Sequence, residues 1–212
     1  MSDLYLTIKD TGTHEIVIKK SQFICNVART TTKEEAETFI EKIKTLHRQA
    51  THNCFAYVIG PNNQIKRQSD NGEPSGTAGV PILDVLEKMQ LHDTTVVVTR
   101  YFGGIKLGTG GLIRAYSKAA SEAIRHTGIV KKVLQRELNL SLNYPNLGKL
   151  QNFLENKQIP ITDTIYTENV TVCFALDNDE IETFCAQITE LFNAQIDITI
   201  GKEKFHEIEV KL

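Results

Sequence analysis

The sequence lacks any long hydrophobic run, and no apolar stretch approaches the roughly 18 residues that a membrane-spanning helix needs. It also lacks a basic segment followed by an apolar one near Met1, so we expect no secretory signal peptide. The four cysteines form no Cys-x-x-Cys pair, a pattern typical of reduced and mostly buried thiols. We therefore expect a cytoplasmic protein with no membrane partner.

Recognised catalytic and nucleotide-binding motifs are also missing. The chain contains no Gly-x-Ser-x-Gly elbow and no His-Glu-x-x-His zinc motif. Gly103 and Gly108 have the spacing of a Walker loop, but Thr109 stands where that loop needs lysine. Gly108 and Gly110 begin a dinucleotide-binding pattern, but Ile113 occupies the position of its last glycine. These absences favour a protein without catalysis, and we expect no metal and no other cofactor.

What the chain does contain is a glycine-rich stretch over residues 100–111, between a β-branched run and a helical pattern. A strand that passes through glycines into a helix leaves unpaired N–H donors at the helix start, where an anion can bind. Arg100 and Lys106 add positive charge to this phosphate-binding interpretation. A tightly packed turn against the chain's own backbone explains the glycines equally well, and both interpretations stay open.

Hydrophobic periodicity predicts two modules, residues 1–134 and 135–212, and an α+β fold class. In the first module, short alternating runs predict an antiparallel meander, and a capping box of Thr32 and Glu35 precedes a helix. Further along, the pattern predicts a hairpin over 54–68, a short helix over 81–89, a strand over 95–101 and a helix over 112–126.

The second module shows the order β-α-β-β-α-β, which is the ferredoxin-like plan. Alternation at Ile208, Val210 and Leu212 allows a further strand at the end. Residues 1–135 carry 18 Lys and Arg against 13 Asp and Glu, whereas residues 136–212 carry 6 against 13. This division into a basic and an acidic half also indicates two modules with different surfaces.

A basic ridge is predicted on the helix that follows the glycines. Arg114, Lys118 and Arg125 lie within about 40° of one another, opposite the apolar side of the helix. A basic ridge beside an anion-binding helix start is typical of a track for a phosphate backbone. A solvated helix face is the more common explanation of such a pattern, and it stays open.

Two pairs of residues are candidates for a ligand pocket. His52 and Cys54 share one face of a predicted strand, as a nucleophile pair or half of a metal site would. Their Cα separation of about 7 Å favours a buried thiol beside a histidine. Asp70 and Glu73 lie three apart in a glycine-rich loop, which suits acid–base chemistry, Mg²⁺ binding or ordinary turn formation.

Four blocks of this sequence, Lys20–Phe23, Ala50–Ala56, Ser69–Pro81 and Arg100–Leu112, together resemble the YigZ/Impact family. The resemblance implies a first module shaped like domain IV of elongation factor G and a second resembling a later domain of that factor. It also implies a ribosome- or RNA-associated protein, as the bacterial members look to be. The eukaryotic relative is a translation regulator that competes for the co-activator of a starvation-sensing kinase. Asn71 stands where the family often has a second aspartate, which argues against a metal in that loop.

We therefore expect a non-catalytic regulator of translation that binds RNA or the ribosome. The residues predicted to bind RNA phosphates are Lys20, Arg67, Arg100, Gly103, Gly104, Lys106, Gly108, Gly110, Gly111, Arg114, Lys118 and Arg125. One alternative is a phosphate-ligand-binding enzyme that uses the 103–111 loop, with a pocket of His52, Cys54, Asp70 and Glu73, because the same fold supports small-molecule kinases. The other is a protein-interaction module whose acidic second half docks a partner from the translation machinery.

Overall fold

The computed structural model describes residues 4–60 and 62–210, which form two compact units. The first unit consists of the described residues up to Lys132 together with 208–210, and the second consists of Val133–Glu207. The division lies two residues before the predicted boundary. Each unit combines helices with a β-sheet, which confirms the α+β class.

The first unit is built on a five-stranded antiparallel sheet of order β2-β3-β6-β4-β5. Its elements are β1 (Leu4–Ile8), β2 (Gly12–Ile18), β3 (Ser21–Arg29), α1 (Lys33–Leu46), β4 (His52–Ile59), β5 (Ile65–Ser69), α2 (Gly79–Lys88), β6 (Thr94–Tyr101) and α3 (Thr109–Thr127). The predicted three-strand meander is wrong in one respect, because β1 pairs with β7 (Ile129–Leu142), which begins in this unit. Strands β2 and β3 do form the expected hairpin.

Alternation along β4 divides the first unit into layers. Cys54, Ala56 and Val58 face the core formed with α2 and α3, whereas Phe55 and Tyr57 face α1. The sheet therefore lies between α1 on one face and α2 with α3 on the other. Side chains at even-numbered positions of β4 and β6, such as Cys54, point toward α3. The site described below lies on this face of the sheet.

Helix α3 packs closely on the sheet because its inner face is made of small residues. Ala115, Ala119, Ala120 and Ala123 are all buried, and Tyr116 between them has no solvent exposure. The helix begins after Gly108, with φ of +71°, and ends at Gly128, with φ of +90°. Both glycines take the left-handed conformation that L side chains rarely adopt, so they delimit the helix.

The second unit contains the rest of β7, α4 (Leu147–Asn156), β8 (Ile161–Tyr166), β9 (Val170–Leu176), α5 (Ile181–Leu191) and β10 (Asp197–Val210). The strand order β10-β7-β9-β8 confirms the ferredoxin-like plan. The separate last strand is wrong, because Ile208 and Val210 continue the single 14-residue strand β10, and Leu212 lies outside the described residues. Among the described helices, none is long and apolar enough to cross a membrane.

Candidate functional site

The glycines between β6 and α3 have different physical roles. At Gly103 an added Cβ would overlap the carbonyl group of Lys20, so close packing on the β2–β3 turn requires glycine. Gly104 has φ of +84° with open space around it, so its backbone conformation, like that of Gly108, explains the residue. The packed-turn interpretation therefore accounts for Gly103, and turn geometry accounts for Gly104 and Gly108.

Neither close packing nor a left-handed backbone conformation explains why residue 110 is glycine. It lies in the first turn of α3 outside the left-handed region, and an added Cβ would meet only Arg114 Nη1, at 3.6 Å. Gly111 is more confined, because its Cβ would lie 3.1 Å from the Cβ of Leu107. The N–H groups of Thr109, Gly110 and Gly111 have no acceptor within the helix, as at any helix start, and the N-cap residue, Gly108, has no side chain that could cap them. The missing side chain at residue 110 thus leaves these donors open to an outside anion.

A cleft of about 400 Å³ lies beside this helix start. Its walls are formed by Glu73, Pro74, Arg100, Phe102, Lys106, Leu107, Gly108, Thr109 and Leu112. Phe102 is 48% exposed although it is a large aromatic residue, and the guanidinium carbon of Arg100 lies 5.5 Å from its ring centre. The cleft thus combines an accessible aromatic face, an exposed ammonium at Lys106 and the open end of a helix.

A buried ion pair forms the inner wall of the cleft. Arg100 Nη1 donates to Glu73 Oε1 at 2.7 Å, and both side chains are almost fully buried. The register of the sheet explains the position of Arg100, since Phe23 of β3 and His52 of β4 are its direct neighbours across the strands. Its Nη2 donates to Ser21 Oγ at 3.3 Å, whereas its buried Nε has no hydrogen-bond partner among residues 4–60 and 62–210. Because Glu73 neutralises Arg100, the free positive charge of the cleft comes from Lys106 and the helix start.

The predicted thiol candidate is inert in this environment. Cys54 has no solvent exposure, and its thiol donates to the carbonyl oxygen of Asp70 at 2.9 Å. Its sulfur lies 3.4 Å from the hydroxyl oxygen of Tyr116. Burial raises the pKa of the Cys54 thiol to about 12, so the thiolate needed for nucleophilic attack is not populated at neutral pH. Burial likewise raises the pKa of Tyr116.

The two pocket candidates nearest to Cys54 hold the 70–79 loop in place. His52 Nδ1 donates to the carbonyl oxygen of Asn71 at 2.9 Å, and its Nε2 lies 3.8 Å from Glu73 Oε2. Asp70 accepts backbone N–H bonds from Gly76, Ala78 and Gly79, which cap the start of α2.

The Asp70 carboxylate is committed to these backbone bonds. Burial opposes its charged form, but the three N–H donors outweigh burial and hold the pKa of this carboxyl below its ordinary value. In the part of the chain that the structure describes, no group of three His, Cys, Asp or Glu side chains could hold a metal ion. The four pocket residues therefore lie together as a structural cluster around Glu73.

The structure brings together some of the predicted phosphate-binding cations and separates others. Lys106 and Arg114 are exposed beside the start of α3, and neither has an ion-pair partner within the described residues. Lys20 is exposed in the β2–β3 turn, where its backbone touches Gly103. Arg125 lies in the last turn of α3, roughly 24 Å along the helix from Thr109.

Two of the predicted cations are engaged elsewhere. Lys118 Nζ lies 3.7 Å from Glu122 Oε1. The predicted basic ridge therefore also carries a carboxylate, which the prediction did not include. Arg67 lies on the opposite face of the sheet, because it pairs with Tyr57 in the β4–β5 register. There its Nη1 donates to Glu37 at 2.9 Å.

Phe102, Tyr116 and Ser21 also belong to this site, although they were not among the predicted site residues. The position of Phe102 directly before the Gly103-Gly104 pair was the signal that the sequence offered for it. Tyr116 lies on the buried, apolar side of α3, but its hydroxyl donates to Glu73 Oε1 at 2.8 Å. Only the three-dimensional pairing of α3 with the 70–79 loop reveals that contact.

Comparisons with known proteins cover both units. The Impact N-terminal domain model matches residues 19–124, and the Domain of unknown function (DUF1949) model matches residues 140–195. The IMPACT family member YvyE from Bacillus subtilis is 51% identical over 203 residues, covering 96% of this chain and 94% of that protein. The IMPACT family member YigZ from Escherichia coli is 34% identical over 188 residues, covering 88% and 92%.

The fold also matches a solved structure described as the crystal structure of an hypothetical protein. It aligns with a TM-score of 0.61 at 32% identity, covering 93% of this chain and 97% of that chain. Both relatives and the solved structure therefore align with this chain over more than 90% of their own length. On this similarity, the chain belongs to the IMPACT family.

Proposed function

We propose that this chain is a non-catalytic RNA-binding protein that acts on translation by binding RNA or the ribosome. The binding face is the loop face, defined as Phe102, Lys106, the N–H groups of residues 109–111, and Arg114. The observation that supports it best is the exposure of Phe102 directly beside an exposed ammonium and an open helix start.

These features match what single-stranded RNA offers. A nucleobase stacks on an exposed aromatic ring, and such stacking tolerates any base because each base has a π-face. Phosphates are attracted to exposed lysine and arginine side chains and to backbone N–H donors at a helix start. An aromatic residue flanked by both kinds of donor can therefore bind one base and its neighbouring phosphates together.

The proposal includes no catalysis because the candidate reactive side chains are buried or already bonded to other groups. The Cys54 thiol is buried with a raised pKa, and the Asp70 carboxylate is occupied by three backbone donors. Glu73 is held by Arg100 and Tyr116, so it is not placed as a free general base. Each of these groups takes part in the contacts that hold the 70–79 loop, and each lacks the freedom that acid–base or nucleophilic chemistry requires.

The proposal is tested by fluorescence anisotropy of the full chain with a single-stranded RNA labelled at its 3′ end. The Lys106→Gln, Arg114→Gln double variant should bind about tenfold more weakly at low salt, because two phosphate contacts are lost. Lys42→Gln is the matched control, since Lys42 is exposed on α1, on the other face of the sheet. Equal affinities for the double variant and the unchanged chain would contradict the proposed face.

Catalysis and ribosome binding are measured on the same preparation. We expect no turnover of ATP or GTP, and we expect co-sedimentation with ribosomes that decreases in the double variant. Turnover that disappears in a folded His52→Ala or Asp70→Asn variant would instead favour the phosphate-ligand enzyme.

A further inference from the structure

We infer that two apolar grooves on opposite sides of α5 together bind a positively charged segment of another protein. All residues that line the grooves lie within the second unit, Val133–Glu207. The inference therefore goes beyond the proposed RNA-binding function and does not depend on the loop face. It assigns a partner to the acidic half of the chain, which has no part in the proposed function.

The first groove has a volume of about 310 Å³ and lies beside the first turns of α5. Its apolar floor consists of Ile159, Leu176 and Phe184. Leu176 and Phe184 also belong to the core of the second unit, so packing holds this floor in place. The volume is at the lower end of the range of about 300–1,000 Å³ for small-ligand pockets, which suits an apolar side chain that anchors a partner.

The second groove lies on the other side of α5, has a volume of about 530 Å³, and contains Ile181, Cys185 and Ile200. Ile198 and Ile200 lie on the same face of β10, because side chains alternate along a strand. Ile198 packs against the core of the unit, whereas Ile200 is 49% exposed. A large aliphatic side chain that lines a groove with other apolar side chains favours a partner that covers them.

The separation of the two grooves follows from the helical period of α5. Ile181 and Cys185, four residues apart, line the second groove, whereas Thr183 and Gln187, also four apart, line the first. Ala186 is exposed on the ridge between the grooves, where its small side chain lets a partner approach closely. A helix is about 10–12 Å wide with its side chains, and an extended segment crosses that width in about four residues.

Exposed carboxylates determine the charge of the partner. Asp179 and Glu180 line the first groove, and Glu182 lines the second. All three are exposed, and none has an ion-pair partner among residues 4–60 and 62–210. The second unit as a whole carries 5 Lys and Arg against 12 Asp and Glu. A surface of this sign attracts a positively charged segment and repels RNA.

Two cations also line the grooves, but each is engaged by a neighbouring residue. Arg136 Nη2 donates to Glu203 at 2.6 Å, and Lys157 Nζ lies 5.3 Å from the ring centre of Phe153. The helix dipole favours carboxylates at the start of α5, but it does not explain apolar side chains along both flanks. A segment that carries apolar residues between lysines or arginines matches both the charge and the apolar floors.

The test measures binding of three fluorescein-labelled peptides to the full chain by anisotropy. The basic-apolar peptide is Lys-Leu-Lys-Gly-Lys-Leu-Lys, in which the leucines are four residues apart. In the second peptide serine replaces both leucines, and in the third glutamate replaces all lysines. The basic-apolar peptide should bind about tenfold more tightly than either of the others, because it alone has both apolar anchors and positive charge.

Ile200→Ser tests the apolar contact and should weaken binding of the basic-apolar peptide by about tenfold. Ile165→Ser is the matched control, because Ile165 is 47% exposed in β8, at the other edge of the sheet, and lines neither groove. This control should bind the peptide like the unchanged chain. Thermal melting verifies that both variants fold.

Asp179→Asn combined with Glu182→Gln tests the charge, since it removes one carboxylate from each groove. Binding of the basic-apolar peptide should weaken by about tenfold at low salt and depend less on salt concentration. Asp163→Asn combined with Glu168→Gln is the matched control, because it removes the same charge from exposed positions outside both grooves. Equal losses in the two double variants would mean that only net charge matters and would overturn the inference.

Three further results would also overturn it. One is equal binding of the leucine and serine peptides, and another is no binding of the basic-apolar peptide. The third is association of the chain with itself, measured by sedimentation and lost in Ile200→Ser, which would assign the grooves to a second copy of this chain. RNA binding should be unchanged in Ile200→Ser, so failure of this inference leaves the proposed function standing, and the reverse also holds.

Discussion

The hydroxyl of Tyr116 donates a hydrogen bond to Glu73 Oε1 at 2.8 Å, which connects the middle of α3 to the loop between β5 and α2. The same carboxylate oxygen accepts from Arg100 Nη1 on β6. Three separate parts of the first unit thus meet at one buried oxygen. Glu73 and Arg100 line the cleft, so the strength of these two hydrogen bonds determines how rigidly the cleft wall is held.

Replacing Tyr116 with phenylalanine tests this connection. Tyr116→Phe should lower the free energy of unfolding by about 1.5–3 kcal/mol, because a hydrogen bond to a charged group is lost inside the protein. Urea denaturation followed by circular dichroism measures the change. Tyr166→Phe is the control, since Tyr166 is 62% exposed and should change stability by less than about 0.5 kcal/mol. Similar losses in both variants would contradict the importance of the Glu73 contact.

The buried ion pair has a sharper test. Glu73→Gln removes the charge that balances Arg100 and should destabilise the chain by about 3–5 kcal/mol, since an uncompensated charge stays buried. Glu87→Gln breaks an ion pair of equal length, 2.7 Å to Lys66, at an exposed site and should cost about 0–1 kcal/mol. Chemical denaturation of the two variants decides. A loss for Glu73→Gln no larger than for Glu87→Gln would show that Arg100 is solvated.

The stability of the first unit should fall at acid pH partly through Asp70. Its pKa is lower in the folded chain than in the unfolded chain, because burial is outweighed by the N–H bonds of Gly76, Gly79 and Ala78. Its stabilising contribution is therefore complete above the unfolded value of about 3.9 and is lost as pH falls through the folded value.

Asp70→Asn should therefore be less stable than the unchanged chain at pH 7, by about 0.5–2 kcal/mol for the weakened cap of α2. The difference between the two proteins should shrink below pH 4. Denaturant midpoints measured from pH 2.5 to pH 7 provide the comparison, with Asp84→Asn on the exposed side of α2 as the control. A difference that stays constant across this range would rule out a depressed Asp70 pKa.

The four thiols should react in two classes. Cys25 and Cys54 are fully buried and burial raises the pKa of both, so they should resist iodoacetamide at pH 8 until the chain unfolds. Cys173 and Cys185 are partly exposed and should be modified first. Mass spectrometry of native and urea-treated samples measures the order. Early modification of Cys54 in the native chain would contradict this prediction and favour Cys54 as a nucleophile.

The cations on and around α3 should differ in their contribution to RNA binding. Arg114→Gln should flatten the slope of log affinity against log salt by about one unit, as for a lost phosphate contact. Lys118→Gln should have a smaller effect because Glu122 already lies 3.7 Å from that ammonium, and Arg67→Gln should have none because Arg67 pairs with Glu37 on the other face. A salt titration of each single variant measures the slopes. Equal slopes for Arg67→Gln and Arg114→Gln would mean that only net charge matters.

Much of the fold could be predicted because its signals are local. The predicted N-cap is confirmed, since Thr32 Oγ1 accepts from the Glu35 N–H at 3.2 Å. The return bond differs from a capping box by one residue, because Glu35 Oε2 accepts from the N–H of Thr31 at 2.7 Å. The periodicity of the second half correctly indicated the β-α-β-β-α-β order. The position of β1 was not predictable, because strand pairing depends on distant partners and not on the alternation within one strand.

The candidate site was predictable in part. The sequence by itself determined that a glycine-rich strand-to-helix junction would carry Arg100 and Lys106, because glycine and charge patterns are local properties. It could not tell which glycine serves packing and which leaves space. That distinction depends on the Lys20 carbonyl, which is 83 positions away from Gly103 in the chain and adjacent to it in space.

Only the tertiary structure decided which polar residues share a site. The sheet register placed Arg100 between Phe23 and His52 and sent Arg67 to the opposite face, where it pairs with Glu37. Close packing of α3 brought Tyr116 to Glu73. The physical reason is that a charged or hydroxyl group is buried only where its partners arrive from other elements, and the order of residues does not specify those long-range meetings.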